Sequence, residues 1–157
     1  MSRRNTKTLP PFKKPSESRT RNMRAIPSLG NKTTERRLVK LLRKHRIRGW
    51  RLHPPGIVGK PDLVIQRARV AVFVDGCFWH GCPRCGHIPR TNRAYWMAKI
   101  ARNKHRDRAT SKALKALGYR VPRIWECQLR VNPERCLRRI VSELNRKQEK
   151  AQHCKST

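Results

Sequence analysis

Between Asp75 and Cys85 the chain reads DGCFWHGCPRC: three cysteines, a histidine, an acid and two large aromatics in eleven residues. Cys77, Cys82 and Cys85 stand at spacings x4 and x2, which suits zinc, a metal that favours four N or S ligands in a tetrahedron. By position the fourth ligand is His80, His87 or Cys127; Cys136 in the last helix and Cys154 in the tail are poorer candidates. His80 can bind zinc or transfer protons, but not both. A second chemistry is carried by oxygen. Asp62 opens one apolar run and Asp75 closes the next, so a hairpin would bring both carboxylates to one side of the sheet. Two such groups suit Mg2+, which takes one or two carboxylates together with waters and phosphate oxygens. Asp62 after Pro61 also suits an ordinary turn. Glu35, early in a helix, suits an acid complementing the helix dipole.

These groups need supports. Val70–Val74 is an unbroken apolar run, as expected of a strand buried on both faces. Leu63-Val64-Ile65 reads as its hairpin partner across the polar turn 66–69, and Trp50–His53 as a further short strand ended by Pro54, Pro55 and Gly56. Thr33 or Thr34 can cap a helix reaching about His45, with Leu38, Leu41, Leu42 and Val39 on its apolar side. A long helix starts at Thr91 or Asn92 and stops before Gly118, with Trp96, Met97, Ile100, Ala113, Leu114 and Leu117 as its buried stripe and a strongly basic middle. Residues 119–126 read as a strand carrying Cys127 just past its end, although Pro122 removes a ladder donor and favours an edge. A last helix spans about Pro133–Asn145. The order is helix, three strands, helix, strand, helix: an α/β fold with a small mixed sheet flanked by helices.

Of 157 residues, 32 are Leu, Ile, Val or Phe, and 28 of these lie between 35 and 145, so the core belongs to that segment. Forty basic against nine acidic residues leave a net charge of +31, which calls for a polyanion, nucleic acid first. No apolar run approaches the roughly 18 residues needed to span a membrane. No signal-peptide core is visible at the N-terminus. The expectation is an intracellular protein whose cysteines serve metal before disulfides. Residues 1–24, with eight Lys or Arg, read as a basic arm, disordered or reaching a DNA groove. A Mg2+ site in so basic a chain points to phosphodiester hydrolysis.

RNMRAI (21–26), Glu35 in TTERRL, GKPDLV (59–64), VFVDGCFWHGC (72–82), YWMAKIARN (95–103), RDR (106–108) and WEC (125–127) together resemble the very short patch repair (Vsr) endonucleases, over about residues 18–129. The resemblance implies a single restriction-endonuclease-like domain over 18–145 with a structural zinc site, after a basic disordered arm (1–17) and before a polar tail (146–157). It implies a Mg2+-dependent DNA nickase cutting 5′ of the T in T:G mismatches left by deamination of 5-methylcytosine. Carried over, Asp62 and the Val74 carbonyl hold Mg2+, Glu35 acts on the metal from a second layer or through water, and His80 is the catalytic histidine. Zinc falls to Cys77, Cys82, Cys85 and Cys127. Phe78, Trp79 and Trp96 form an aromatic wedge at the mismatch, and Met23 lies in an arm reaching the opposite groove. The implied protein is a monomer in the cytoplasm, associated with the nucleoid, and works alongside a DNA cytosine methyltransferase. Two departures stand out: Pro122 interrupts a strand that is usually aliphatic, and residue 105 is His where an acid is common. Two other readings compete: a restriction-type nuclease on matched DNA, and a non-catalytic basic zinc protein bound to nucleic acid.

Overall fold

A computed structural model describes residues 8–13 and 32–146. The elements are helix α1 (Lys32–Lys44), strands β1 (Trp50–Leu52), β2 (Leu63–Ile65) and β3 (Val70–Asp75), helix α2 (Arg93–Ala116), strand β4 (Arg123–Trp125), and helices α3 (Glu126–Val131) and α4 (Pro133–Asn145). One sheet runs β1-β2-β3-β4. β1 with β2 and β2 with β3 are antiparallel; β3 with β4 is parallel. The hairpin turn is a single 3-10 turn over Gln66–Ala68, closed by Arg69 in the left-handed region at φ 48°.

The pleat sorts the apolar residues between two layers, because successive side chains point to opposite faces. Leu63, Ile65, Val70, Val72 and Ile124 face Leu38, Leu41 and Leu42 of α1, Leu129 of α3, and Cys136, Leu137 and Ile140 of α4. Val64, Ala71 and Phe73 face the other way, onto Leu114 of α2, with Ile57, Tyr119 and Val121 around them. β3 is thus covered on both sides, as its apolar run implies. Among the described residues no helix is long and apolar enough to cross a membrane.

Several expectations need correction. The described part of α1 already includes Thr33 and Thr34, so neither stands ahead of it as a cap. On α2, Met97, Ala113 and Leu117 are exposed, and the buried residues are Trp96, Ile100, Asn103 and Leu114. The reason is phase: at 3.6 residues per turn Trp96, Ile100, Asn103, Asp107, Ser111 and Leu114 share one face, Met97 and Ala113 point about 100° away from it, and Leu117 lies just past the helix end. The inward face packs along its length, and the basic residues Arg102, Lys104, Arg106 and Arg108 on the other faces are left to solvent. The strand expected over 119–126 shrinks to Arg123–Trp125, preceded by an isolated bridge from Val70 to Arg120. Arg120 and Pro122 accept the N–H groups of Ala71 and Phe73. Pro122 has no N–H to return, so the ladder breaks there. β4 is nevertheless an edge strand, where proline is tolerated. Cys127 lies just past the end of β4, as expected, in the first turn of α3.

Within the stretch expected to be a basic arm, residues 8–13 are described. Phe12 stacks against Tyr95 and Trp96, at 4.7 and 5.9 Å between centroids. The Asn92 side chain pairs with the Lys13 backbone in both directions, at 3.1 and 2.9 Å. This explains why Asn92, at the N-terminus of α2, makes no capping bond to its own helix. Met23, the RNMRAI stretch and Cys154 lie outside the described residues.

Candidate active site and metal centre

Two polar clusters meet at the C-terminal end of β3, one on each side of the strand. Consecutive residues Val74 and Asp75 anchor them.

On the β2 side, the Val74 N–H donates to Asp62 Oδ2 at 2.7 Å. In a strand a residue's N–H and C=O point the same way, so the Val74 carbonyl faces Asp62 too. Burial pushes the Asp62 carboxyl above its usual range; the Val74 N–H pulls it down and the nearby Glu35 charge pushes it further up. Glu35 arrives from the first turn of α1. Its Oε2 meets His53 Nε2 at 3.0 Å, while its Oε1 is buried with no hydrogen-bond partner. His53 is held at the left-handed φ of 42° and donates its backbone N–H to the Asp62 carbonyl at 3.1 Å. A carboxyl raised by burial beside a buried, unpartnered carboxylate oxygen is an arrangement that a hard cation completes. These donors fit Mg2+. The partner for Asp62 here is Glu35, not Asp75 as the hairpin argument expected. The bland reading of Glu35 as a dipole acid misses its buried oxygen.

Asp75 belongs to the other cluster. It is 4% exposed and accepts a two-pronged bond from Arg123 of β4: Nε to Oδ2 at 2.7 Å and Nη2 to Oδ1 at 2.5 Å. The same Nη2 lies 3.2 Å from Asp107 Oδ1 on α2. Asp107 Oδ2 in turn meets His80 Nδ1 at 2.6 Å. Burial works against the Arg123 charge, yet the bonds and charges of Asp75 and the charge of Asp107 outweigh it, and its pKa moves up. His80 is thereby bound at Nδ1, which leaves Nε2 as its free position.

The loop carrying His80 is tied down by sulfur. The Sγ atoms of Cys77, Cys82, Cys85 and Cys127 all lie within 4.8 Å of one another, and Cys82 to Cys127 is 3.8 Å. A tetrahedron with Zn–S bonds near 2.3 Å has edges of about 3.8 Å, so the four thiols fit zinc. Cys136 is buried in α4, outside this cluster. His80 faces Asp107, and His87 lies exposed against the Phe78 ring. The turn is tight: a Cβ on Gly86 would lie 2.5 Å from the Cys82 carbonyl oxygen, so only glycine fits there. Burial pushes the Cys77 thiol up. For Cys82 burial acts the same way, but the N–H groups of Arg84 and Cys85 and the neighbouring thiols prevail and bring it down to about 7.

The aromatics crown this loop. Phe78 stacks on Trp79 and Trp96 at 5.0 and 5.2 Å. Trp79 is 41% exposed, whereas Trp96 is 8% exposed and lies beneath Phe12, Tyr95, Phe78 and Trp79. Buried Asn103 of α2 donates to the Trp79 carbonyl at 2.8 Å. Of the three aromatics assigned to the wedge, Trp79 is exposed, Phe78 half-buried and Trp96 buried.

Sequence reasoning missed His53, Asn103, Asp107 and Arg123 as members of these clusters. RDR (106–108) was visible as a motif but gave Asp107 no role. Asn103 closes the YWMAKIARN (95–103) motif but was likewise given no role, while His53 and Arg123 carried no local signal, since each gains its partner through the fold.

The family described as DNA mismatch endonuclease Vsr matches residues 13–85. The chain is 42% identical over 111 residues to the type II nicking enzyme V.NaeI of Lentzea aerocolonigenes, covering 69% of this chain and 67% of that protein. It is 37% identical over 115 residues to the DNA mismatch endonuclease Vsr of Escherichia coli strain K12, 72% of each. With the type II nicking enzyme V.NmeDIP of Neisseria meningitidis serogroup C it shares 36% identity over 135 residues, 84% of this chain and 89% of the relative.

Proposed function

The chain belongs to the Vsr family of DNA mismatch endonucleases, and from that premise we propose that it nicks one strand of duplex DNA 5′ of the T in a T:G mismatch produced by deamination of 5-methylcytosine. The observation that carries this reading is the end of β3, where Val74 binds the Asp62 carboxylate and the next residue, Asp75, sits in the cluster that orients His80. A cation site and a proton-transfer group thus share one strand end.

In this reading Asp62 and the Val74 carbonyl hold Mg2+, with Glu35 adjoining through its unpartnered oxygen. Mg2+ supplies positive charge against the charge that builds on the phosphate. His53 fixes Glu35 by occupying its other oxygen. His80, bound at Nδ1 by Asp107, keeps Nε2 free to hold or deliver a proton at the scissile phosphate. Cys77, Cys82, Cys85 and Cys127 hold Zn2+, a structural role that ties the aromatic loop to α3. Trp79 leads a wedge backed by Phe78 and Trp96, with Met23 in an arm on the opposite groove. Opening a stack costs about a few kcal/mol per step and least at a mismatch, so the wedge itself favours T:G over T:A. The +31 charge supplies the non-specific hold on phosphates.

The endonuclease domain is restriction-endonuclease-like and runs over 18–145. The protein acts as a monomer, works with a DNA cytosine methyltransferase and associates with the nucleoid. The test compares T:G and T:A duplexes of one sequence, with Mg2+ and with a chelator. Nicking of T:G alone, dependent on Mg2+, is expected; equal nicking of T:A refutes the mismatch reading, and nicking in chelator refutes the metal reading.

A further inference from the structure

Asp75 and Arg123 have no reacting role in the chemistry assigned above, yet they form a two-pronged contact within reach of His80. Asp75 accepts both prongs of the guanidinium. The Arg123 guanidinium also lies over the Phe73 ring at 4.6 Å from its centroid and reaches Ser111 Oγ at 3.5 Å. With one carboxylate, one ring and one hydroxyl around it, its plane is fixed. The edge left over points at Asp107. Asp107 is therefore gripped at one oxygen by Arg123 and offers the other to His80.

Asp75 is itself within 3.7 Å of His80 Nδ1, against 2.6 Å for Asp107. His80 thus has two carboxylates in reach and must be directed to one. Arg123 does this by occupying both oxygens of Asp75. An arginine suits the task where a lysine would not, because its planar fork binds two oxygens of one carboxylate and still presents an N–H to a second.

We propose that Asp75 and Arg123 form a positioning clamp for the nicking reaction: Arg123 neutralises Asp75, fixes the rotamer of Asp107, and so sets the ring of His80 and the direction of its Nε2. The clamp rests on the reading of His80 as the proton-transfer group. It makes Arg123 and Asp75 positioning residues, neither of which touches DNA at the reacting phosphate.

Removing one member leaves a buried charge without its partner and endangers the fold. The test therefore removes both, in Asp75→Asn/Arg123→Met, and uses Arg123→Lys as a second variant that keeps the charge and loses the fork. Both are expected to fold, to carry zinc at wild-type stoichiometry and to bind mismatched duplex with unchanged Kd, while single-turnover nicking at saturating Mg2+ and DNA falls about 10- to 100-fold, as for loss of groups that orient a catalytic residue. In a His80→Ala background the same changes should cost nothing further, because the clamp acts only through His80. A nicking rate within about twofold of wild type in Arg123→Lys, or equal losses with and without His80, overturns the clamp. Wild-type nicking by His80→Ala alone instead overturns the reading of His80 on which the clamp depends, so the two failures are separable.

Discussion

The two sides of β3 differ in how fully their polar groups are satisfied. Around Asp62 one carboxyl is raised by burial, one Glu35 oxygen is buried without a partner, and His53 occupies a strained backbone position. Around His80 the acids are engaged: Asp75 by Arg123, Asp107 by Arg123 and His80, and the loop by four converging thiols. A cluster of unmet oxygens is costly alone and becomes favourable when a cation arrives. A saturated cluster gains nothing from a ligand and serves to hold a side chain in one orientation. One side is built to receive and the other to hold.

Asp62→Asn tests that contrast most severely. Nicking should fall about a thousandfold or more, the order of effect of losing metal-ion stabilisation of charge. The same change should stabilise the metal-free protein. The folded-state pKa of Asp62 lies above its unfolded value, so the folded chain holds this proton more tightly than the unfolded one. Its contribution to stability is intact below the unfolded pKa and is lost as pH rises through the folded pKa. Above the folded pKa the penalty is fully present, and Asn removes it. A rise in Tm of about 2 °C or more in chelator at pH 7, shrinking on acidification, is the expected scan. An unchanged or lower Tm would show that the oxygen cluster is satisfied after all.

Cys127→Ala addresses the other side. It should lose zinc and destabilise the protein by on the order of 3 kcal/mol or more, since metal-binding energy is folding energy. The damage should be local in its first stage. Amide exchange should accelerate over residues 76–92 before β2 is affected, because β2 is held by the sheet and the α1 side of the core. Zinc content by elemental analysis and exchange by mass spectrometry check this. Full zinc retention would remove sulfur from the account of how His80 is held.

Trp79→Ala should leave the fold and the zinc intact, because its ring is the exposed one of the cluster. Preference for T:G over T:A should drop about tenfold, with salt-sensitive binding to any duplex unchanged. Competition binding at two salt concentrations reads both. A folded variant that discriminates like wild type rules out Trp79 as a wedge.

Phe12→Ala is the mildest. Loss of its contacts with Tyr95 and Trp96 should cost about 1 kcal/mol, seen in denaturant unfolding, and should leave Mg2+ affinity at Asp62 unaltered. A change in that affinity would mean that the two sides are coupled, contrary to the division drawn here.

Much of this was legible in the chain. The buried strand followed from Val70–Val74, the hairpin from the short polar turn, and the last helix from Pro133 and its leucine spacing, with Asn132 as the actual cap through Arg135 N–H. Pro122 announced an edge and a broken ladder. The misreadings were of faces and partners. Met97 adjoins Trp96 in sequence but points to another face of the helix, and Leu117 lies just past the helix end. Thr33 and Thr34 were plausible caps, yet both lie inside the helix.

What the sequence determined by itself was chemical type: thiols spaced for a soft metal, acids at strand ends for a hard one, a histidine between them, and a charge meant for a polyanion. Those properties belong to residues and short spacings. The tertiary structure decided who meets whom. Glu35 rather than Asp75 stands by Asp62, since α1 brings it there while Arg123 claims the other acid. The fourth thiol is 45 residues beyond Cys82, Asp107 is 27 beyond His80, and Arg123 is 48 beyond Asp75. Separations of that size carry no local periodicity, and a parallel β3–β4 pairing with a long helix folded across it is what closes them.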